Sequence, residues 1–390
     1  MSSLFYIGAF LKNTGLISFF GATVMVLYLA FKDTPKRGIY CLVPPYHLYY
    51  ALERLRHPWK KQINRFLFGG FWLLIVGVVL AQEASSFTSI GSALLGGIIQ
   101  GSYFALMAFA IILVFRTTDI VNFAQADLAT ISVFFLLTLL GEKFGTAGGG
   151  MQGEFLIPMG LAILAMLIFS GALGVGVERI FIKPVQRQHP ITQIILTIGL
   201  SMMLSNLAGI VWDLDEHTLP NILGGAQPNF DLGGGIALAK DGVLSLVVTI
   251  VLMIGIFSLF KYTLMGIALR ATAQSQTTSK LMGINVNRVF IFSWGISVFL
   301  GSLAALFAMS GNTINVFSIS SLLLKGFAAA ILGGFSSLPG AVLGGFMLGI
   351  FDNLLGLLTD LKEALSFLII LLVLIIKPEG ILGGRGTKKV

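Results

Sequence analysis

Leu94-Leu-Gly-Gly-Ile-Ile-Gln-Gly-Ser-Tyr-Phe-Ala-Leu-Met-Ala-Phe-Ala-Ile-Ile-Leu-Val-Phe115 runs for 22 residues without a charged side chain and then meets Arg116. About 20 mostly apolar residues in a helix match the hydrocarbon core of a bilayer. The chain on either side repeats this pattern. Leu16–Phe31 and Phe66–Leu80 precede it; Ile120–Leu140, Pro158–Val177, Ile191–Trp212, Val243–Phe260 and Val289–Met309 follow. Two shorter glycine-rich pieces, Ser320–Gly334 and Gly340–Leu358, come next, and Leu361–Ile376 closes the series. The sequence therefore predicts an all-α, polytopic transmembrane helical bundle that includes a short broken or re-entrant helical hairpin.

Composition supports this reading. Of 390 residues 56% are hydrophobic and 11% charged, where a soluble domain carries about 25% charged residues. A water-facing surface would need more polar cover than this chain has. The 47 glycines suit close helix packing in lipid. No connection is long enough to hold a soluble domain. The net charge of +8 sits in short loops, which argues for membrane topology and against nucleic acid. Placed on alternating sides, those loops put 20 Lys and Arg on one side and 4 on the other, with Lys325 left inside a span. Cationic loops face the cytoplasm, so the expected topology is N-terminus outside and C-terminus inside. Leu16–Ala30 reads as a retained helix, because the residues before it lack a strongly basic region and no small-x-small cleavage site follows. Cys41 is the only cysteine and has no partner for an internal disulfide.

The chemistry-bearing motifs of enzymes are missing. No G-x-x-x-x-G-K-[ST], G-x-S-x-G, H-E-x-x-H or paired cysteines occur, so neither a P-loop nor a hydrolase site is written here. His47, His57, His189 and His217 all fall in loops. The chain is expected not to be an enzyme, to hold no metal, and to bind no cofactor itself.

Three polar features interrupt the apolar pattern. In the first, Asp119, Asn122, Gln125 and Asp127 open the fourth span. Asn122 and Gln125 are spaced to share one side of a helical turn. Capping by Asp119 or Asn122 and lining of a pathway are both open readings. Just upstream, Gln100 and Tyr103 lie among small residues and offer hydrogen bonds to an interior or to a neighbouring helix. The second is the short hairpin, with Gly333, Gly334, Pro339 and Gly340 at its turn. Lys325 and Asp352 stand at similar distances from that turn; they either form an intramembrane ion pair or snorkel to the interface. The third is the segment from Gly266 through Arg270, Ala271, Lys280, Gly283 and Asn285 to Arg288. It reads as a short helix, a glycine break and a second helix start, fitted either to a groove on a cytoplasmic partner or to setting topology alone. The loop from Asp213 to Gly242 is acidic and suits either a neutral connection or a docking surface for an external protein.

Taken in order, Asn122-Phe-Ala124, Met265-Gly266…Arg270-Ala271…Leu281-Met-Gly-Ile-Asn285…Arg288, Lys325…Ala328-Ala-Ala-Ile-Leu-Gly-Gly334…Pro339-Gly-Ala-Val-Leu-Gly-Gly345 and Lys377-Pro-Glu-Gly-Ile-Leu-Gly383 resemble the branched-chain amino acid ABC importer permeases of the LivH type. The resemblance covers about residues 90–383. It divides the chain into an N-terminal extension (1–85, two helices and a basic loop) and a permease domain (86–390). It implies a second related permease, two cytoplasmic ATPase subunits that bind the ATP, an external substrate-binding protein and, as location, the bacterial inner membrane. It further implies that the Gly266–Arg288 segment docks the ATPase, and that Gln100, Tyr103, Asn122, Gln125 and Asp127 lie near the substrate pathway. The chain departs from the family where Gln125, Ala126 and Asp127 replace the usual His-Gly-Glu. Import of urea or a short amide by the same machinery, or ion-coupled secondary transport, are the alternative functions.

Overall fold

The structure is a computed structural model that describes residues 86–141, 158–186, 188–223, 230–231, 237–335, 337–357, 367 and 380. The N-terminal extension with its two predicted spans and Cys41 lies outside these residues, as does the predicted span Leu361–Ile376 apart from Phe367.

Helix α1 is Ser86–Thr118, α2 Gln125–Leu139 and α3 Met159–Val177, prolonged by a π turn (Glu178–Ile182) and the turn Lys183–Val185. Helix α4 is Pro190–Trp212, α5 Lys240–Tyr262, α6 Leu264–Gln274, α7 Gln276–Leu281 and α8 Val286–Met309. The chain continues with α9 (Ser320–Gly333) and α10 (Leu338–Gly356). Four two-residue strands, β1 (His217–Thr218), β2 (Phe230–Asp231), β3 (Ala237–Leu238) and β4 (Thr313–Ile314), form two small antiparallel ribbons, β1 with β4 and β2 with β3. Among the described residues six stretches are long and apolar enough to cross a membrane: Gly91–Thr118, Met159–Val185, Ile191–Trp212, Lys240–Tyr262, Val286–Met309 and Leu338–Gly356. The architecture is the helical membrane bundle that the sequence predicts. By contact, residues 95–232 and 237–351 belong to one compact unit; residues 86–94 and 352–357 belong to a second.

Two spans come out shorter than their apolar runs. The fourth predicted span starts at Ile120, yet α2 begins at Gln125. Asp119 takes a left-handed conformation, φ 59°, which ends α1. The intervening backbone is served by side chains instead of a helical ladder. Thr118 Oγ1 accepts from Ile120 N at 3.3 Å, Asn122 Oδ1 accepts from Ala124 N at 3.1 Å, and Thr197 Oγ1 of α4 donates to Val121 O at 3.2 Å. Non-helical backbone at membrane depth requires such partners. With 15 residues, α2 spans roughly 22 Å. Helix α9, at 14 residues, is shorter still. The hairpin turn is also tighter than predicted: α10 starts at Leu338, so Pro339 and Gly340 sit in its first turn, where proline loses no helical hydrogen bond.

The core lies where α8 packs against α2 and α3, and α2 against α3 and α4. Trp294, Phe109, Phe134 and Leu106 are fully buried. Phe109 of α1 also meets Phe257 and Phe260 of α5 edge-on.

Loop contacts sort the connections into two ends. At one end Gln276 Nε2 donates to Thr117 O at 3.3 Å, joining the segment after α6 to the close of α1. Phe335 of the hairpin turn stacks edge-on with Phe115, with ring centroids 5.1 Å apart, at that same end. At the other end His217 pairs with Ile314 across the β1–β4 ribbon. There Asp241 accepts from Ser310 Oγ (2.7 Å) and from the backbone N–H groups of Ile222 (2.8 Å) and Leu223 (3.2 Å). Connections expected on one side of a membrane thus meet one another. The described part of the Asp213–Gly242 loop is tied down by Asp241. His217, placed in a loop by the sequence, is buried under Phe134 and lies within 2.9 Å of Trp212 O.

Candidate functional site

The polar group at the head of α2 forms a closed network. Asn122 Nδ2 donates to Gln125 Oε1 at 2.9 Å. Gln125 Nε2 donates to Ser297 O of α8 at 2.9 Å, and Ser297 Oγ lies 3.1 Å from Gln125 Oε1 and 2.9 Å from Ala110 O of α1. Three helices are therefore cross-linked through one glutamine, and Asn122, Gln125 and Ser297 are all buried. Gly301, one turn along α8 from Ser297, leaves room for the glutamine: a Cβ built there would stand 3.3 Å from Gln125 Cδ. Asp127 points the other way, towards α4, where Ser201 and Ser205 donate to its two carboxylate oxygens. Satisfying polar groups within the bundle removes the cost of burying them in lipid. Of the two candidate caps, Asn122 supports the turn into α2, whereas Ala124 occupies the cap position itself without a side-chain bond.

The second cluster rests on a backbone-to-backbone contact between α1 and α10. A Cβ on Gly97 would stand 2.7 Å from Ile350 Cα, and one on Gly101 2.7 Å from Phe346 Cα. Gly345 and Gly349 face Ala105 and Gly101 in return. Glycines four apart on both helices let them touch along a full turn. Gln100 and Tyr103 flank this seam and are half-buried. Tyr103 meets Phe104 edge-on, centroids 5.6 Å apart, and Lys325 Nζ of α9 stands 5.5 Å from the centroid of that same Phe104 ring. Phe104 of α1 thus meets Lys325 of α9, far apart in sequence. Asp352 is buried near the end of α10. At the hairpin, Gly333 and Gly340 face each other's backbone, and Gly334 (φ 102°) lies against Gly380.

The third cluster is the segment after α5. The chain turns sharply at the extended residue Thr263, which caps α6 by accepting from Gly266 N, and Gly266 packs on the end of α5, where a Cβ would stand 2.6 Å from Phe260 Cα. The break between α6 and α7 falls at Ser275, an extended residue whose Oγ accepts from Thr278 N. The glycine break expected from the sequence lies one element later: Gly283, at φ 83°, ends α7. Asn285 Oδ1 then accepts from Arg288 N and caps α8. Arg270, Lys280 and Arg288 are exposed and Ala271 is half-buried. Leu264, Leu281 and Met282 project beside them, 85%, 83% and 79% exposed. The inner face of the segment is anchored. Leu269 and Arg270 share a small cleft with Arg116 of α1 and Leu338 of α10. The end of α6, the end of α1 and the first turn of α10 thus border one cleft.

The structure brings together Asn122 with Gln125, and Phe104, next to Tyr103, with Lys325, while Asp127 of α2 turns away to the serines of α4. Sequence reading missed Ser201, Ser205 and Ser297, the partners that satisfy Asp127 and Gln125. Their signal was present, since serines at 201 and 205 lie one turn apart on an apolar helix, but it pointed to no particular partner. Among the described residues no group of three or more His, Cys, Asp and Glu could hold a metal ion.

Residues 93–376 match the family model for the branched-chain amino acid transport system permease component. The chain is similar to the high-affinity branched-chain amino acid transport system permease protein BraD of Pseudomonas aeruginosa, 31% identical over 76% of this chain and 97% of that protein. It is likewise similar to LivH of Escherichia coli K12, a high-affinity branched-chain amino acid transport system permease protein (28%, over 75% and 96%). A probable branched-chain amino acid transport permease protein LivH of Methanocaldococcus jannaschii matches at 29% over 74% and 91%. No solved structure matches.

Proposed function

Because this chain belongs to the branched-chain amino acid transport system permease family, we propose that it is the membrane-spanning subunit of an ATP-driven importer of leucine, isoleucine and valine. The observation that carries the mechanism is the segment Leu264–Arg288. It exposes large apolar and cationic side chains at the end of the bundle, while Gln276 bonds the close of α1 and Leu269 and Arg270 share a cleft with Leu338 of α10. An exposed apolar patch rimmed by charge fits a protein partner, and here the partner is a pair of cytoplasmic ATPases. Closure of the ATPases moves α6. Leu269 and Arg270 pass that motion to Arg116 and Leu338, and so to the glycine seam of α1 and α10. Gln100 and Tyr103 beside that seam supply hydrogen bonds along the pathway for the amino acid. The Asn122–Gln125–Ser297 network and Asp127 hold α1, α2, α4 and α8 together during that motion.

The same reading takes the cationic end as cytoplasmic, with the N-terminus outside and the C-terminus inside the bacterial inner membrane. It adds a second related permease and an external binding protein that delivers cargo. Residues 1–85 stand as an extension outside the region matched by the family. Isolation in mild detergent tests the assembly: two ATPases and a sister permease are expected to copurify. A lone homo-oligomer whose uptake collapses with the ion gradient would instead establish secondary transport. Arg270→Glu with Lys280→Glu is expected to release the ATPases and reduce uptake at least about tenfold, leaving thermal stability within about 1 kcal/mol of the parent. A ligand screen on the binding protein separates branched-chain amino acids from urea or a short amide.

A further inference from the structure

Helices α3 and α8 leave an open groove of about 480 Å³, of which the transport reading uses only Met265 and Arg288, at the edge of the coupling segment. Its walls are apolar along Gly171 and Val175 of α3 and Gly295 and Phe299 of α8, and two arginines, Arg179 and Arg288, stand at its mouth. Arg288 and Phe299 are 11 residues apart on one helix, or roughly 16 Å at 1.5 Å per residue. That is about half of a 30 Å hydrocarbon core. Arg288 stands in the first turn of the apolar crossing Val286–Met309, so a groove that runs from it to Phe299 covers about the depth of a single leaflet. Both arginines are exposed; among the described residues neither guanidinium forms an ion pair, although Arg179 attracts the buried Glu178 carboxylate beside it. Cations facing lipid need an anionic partner or access to water. The guanidinium fork matches phosphate oxygens in a way a point charge cannot.

We propose that this groove binds one anionic phospholipid, its phosphate held between Arg179 and Arg288 and one acyl chain laid along Gly171, Val175, Gly295 and Phe299. The leaflet is the one facing the Leu264–Arg288 segment, where anionic lipids concentrate if that end is cytoplasmic. Gly171 creates the room: a Cβ built there would meet nothing within 4 Å. A soluble partner could reach the arginines but not the apolar walls beyond them. Met265 of α6 also borders the groove, so an occupied site would brace the segment that receives the motor. The inference needs only that the chain spans a membrane. It stands or falls separately from the identity of the cargo.

The test is native mass spectrometry of the purified transporter complex after exchange into nanodiscs of phosphatidylcholine, with and without phosphatidylglycerol. The parent protein is expected to retain phosphatidylglycerol over phosphatidylcholine by roughly tenfold or more, as two arginines near a headgroup allow. Arg179→Gln with Arg288→Gln should abolish that preference. Gly171→Leu should fill the groove and lower retention of the lipid while the complex stays folded and assembled. Equal retention of the two lipids by the parent protein would overturn the proposal. So would Gly171→Leu retaining the lipid undiminished. If the double arginine variant keeps its lipid and loses a protein subunit, the arginines serve protein docking and the proposal fails.

Discussion

Helices α1 and α5 are both long, apolar and able to cross a membrane, yet they live in opposite surroundings. In its most apolar stretch α1 is 72% buried within the protein, whereas α5 is 22% buried and is the more apolar of the two. In water the order would be reversed, because the most apolar helix would take the core. In lipid the tails are as apolar as leucine, so apolarity alone gives a helix no reason to move inward. The features that separate α1 from α5 are small residues and polar contacts. Helix α1 carries Gly97 and Gly101 against the backbone of α10, and Ala110 O as an acceptor for Ser297 of α8. Helix α5 shows Val247, Val251 and Ile254 to the outside, 51%, 62% and 61% exposed, and Gly255 faces open space.

The sharpest way to break this contrast is to add bulk on each helix. Gly101→Leu would drive a side chain into the backbone of α10 and is expected to cost about 3 kcal/mol or more. Size-exclusion chromatography after heating should show little folded protein. Gly255→Leu, the same change on α5, should leave the melting profile unchanged; equal damage from the two would sink the distinction. Next in size is Gln125→Ala, which strips partners from Asn122 and the Ser297 carbonyl. A buried unsatisfied group costs about 1–3 kcal/mol, readable as a lowered midpoint in detergent unfolding. Ser201→Ala with Ser205→Ala removes both donors to Asp127. Interhelical hydrogen bonds in membranes are worth about 0.6 kcal/mol on average, so a loss of about 1–2 kcal/mol is expected by the same measurement. Smallest is Ile254→Ala on the lipid face of α5, expected within about 0.5 kcal/mol of the parent; a larger loss would mean that this face is packed against protein.

Much of the bundle was legible because its signals are local. The apolar run from Leu94 to Phe115 and those from Ile191 to Trp212 and Val289 to Met309 each report a crossing through length and composition alone. The i, i+3 spacing of Asn122 and Gln125 was enough to group the two residues, though not to foresee the hydrogen bond between them. The start of α2 was not legible, because Ile120 and Val121 are as apolar as a helix needs. Their unwinding depends on Thr197, from a helix 76 residues later, accepting the role of partner to Val121 O. The break at Ser275 was likewise hidden behind more obvious glycines at 266 and 283. Glycine permits a turn, but a capping serine with a free N–H two or three residues ahead can specify one just as well.

By itself the sequence determined that the chain lives in lipid, how its described helices cross, and which segment carries exposed cations to one end. Those properties follow from the free energy of each stretch in hydrocarbon or water, and that is additive along the chain. Only the tertiary structure decided which helices are central, which serines complete the bonds of Gln125 and Asp127, and that Lys325 stands over the Phe104 ring. These depend on shape and on hydrogen-bond partners far away in sequence. In a medium as apolar as the side chains, such contacts and not apolarity choose the neighbours.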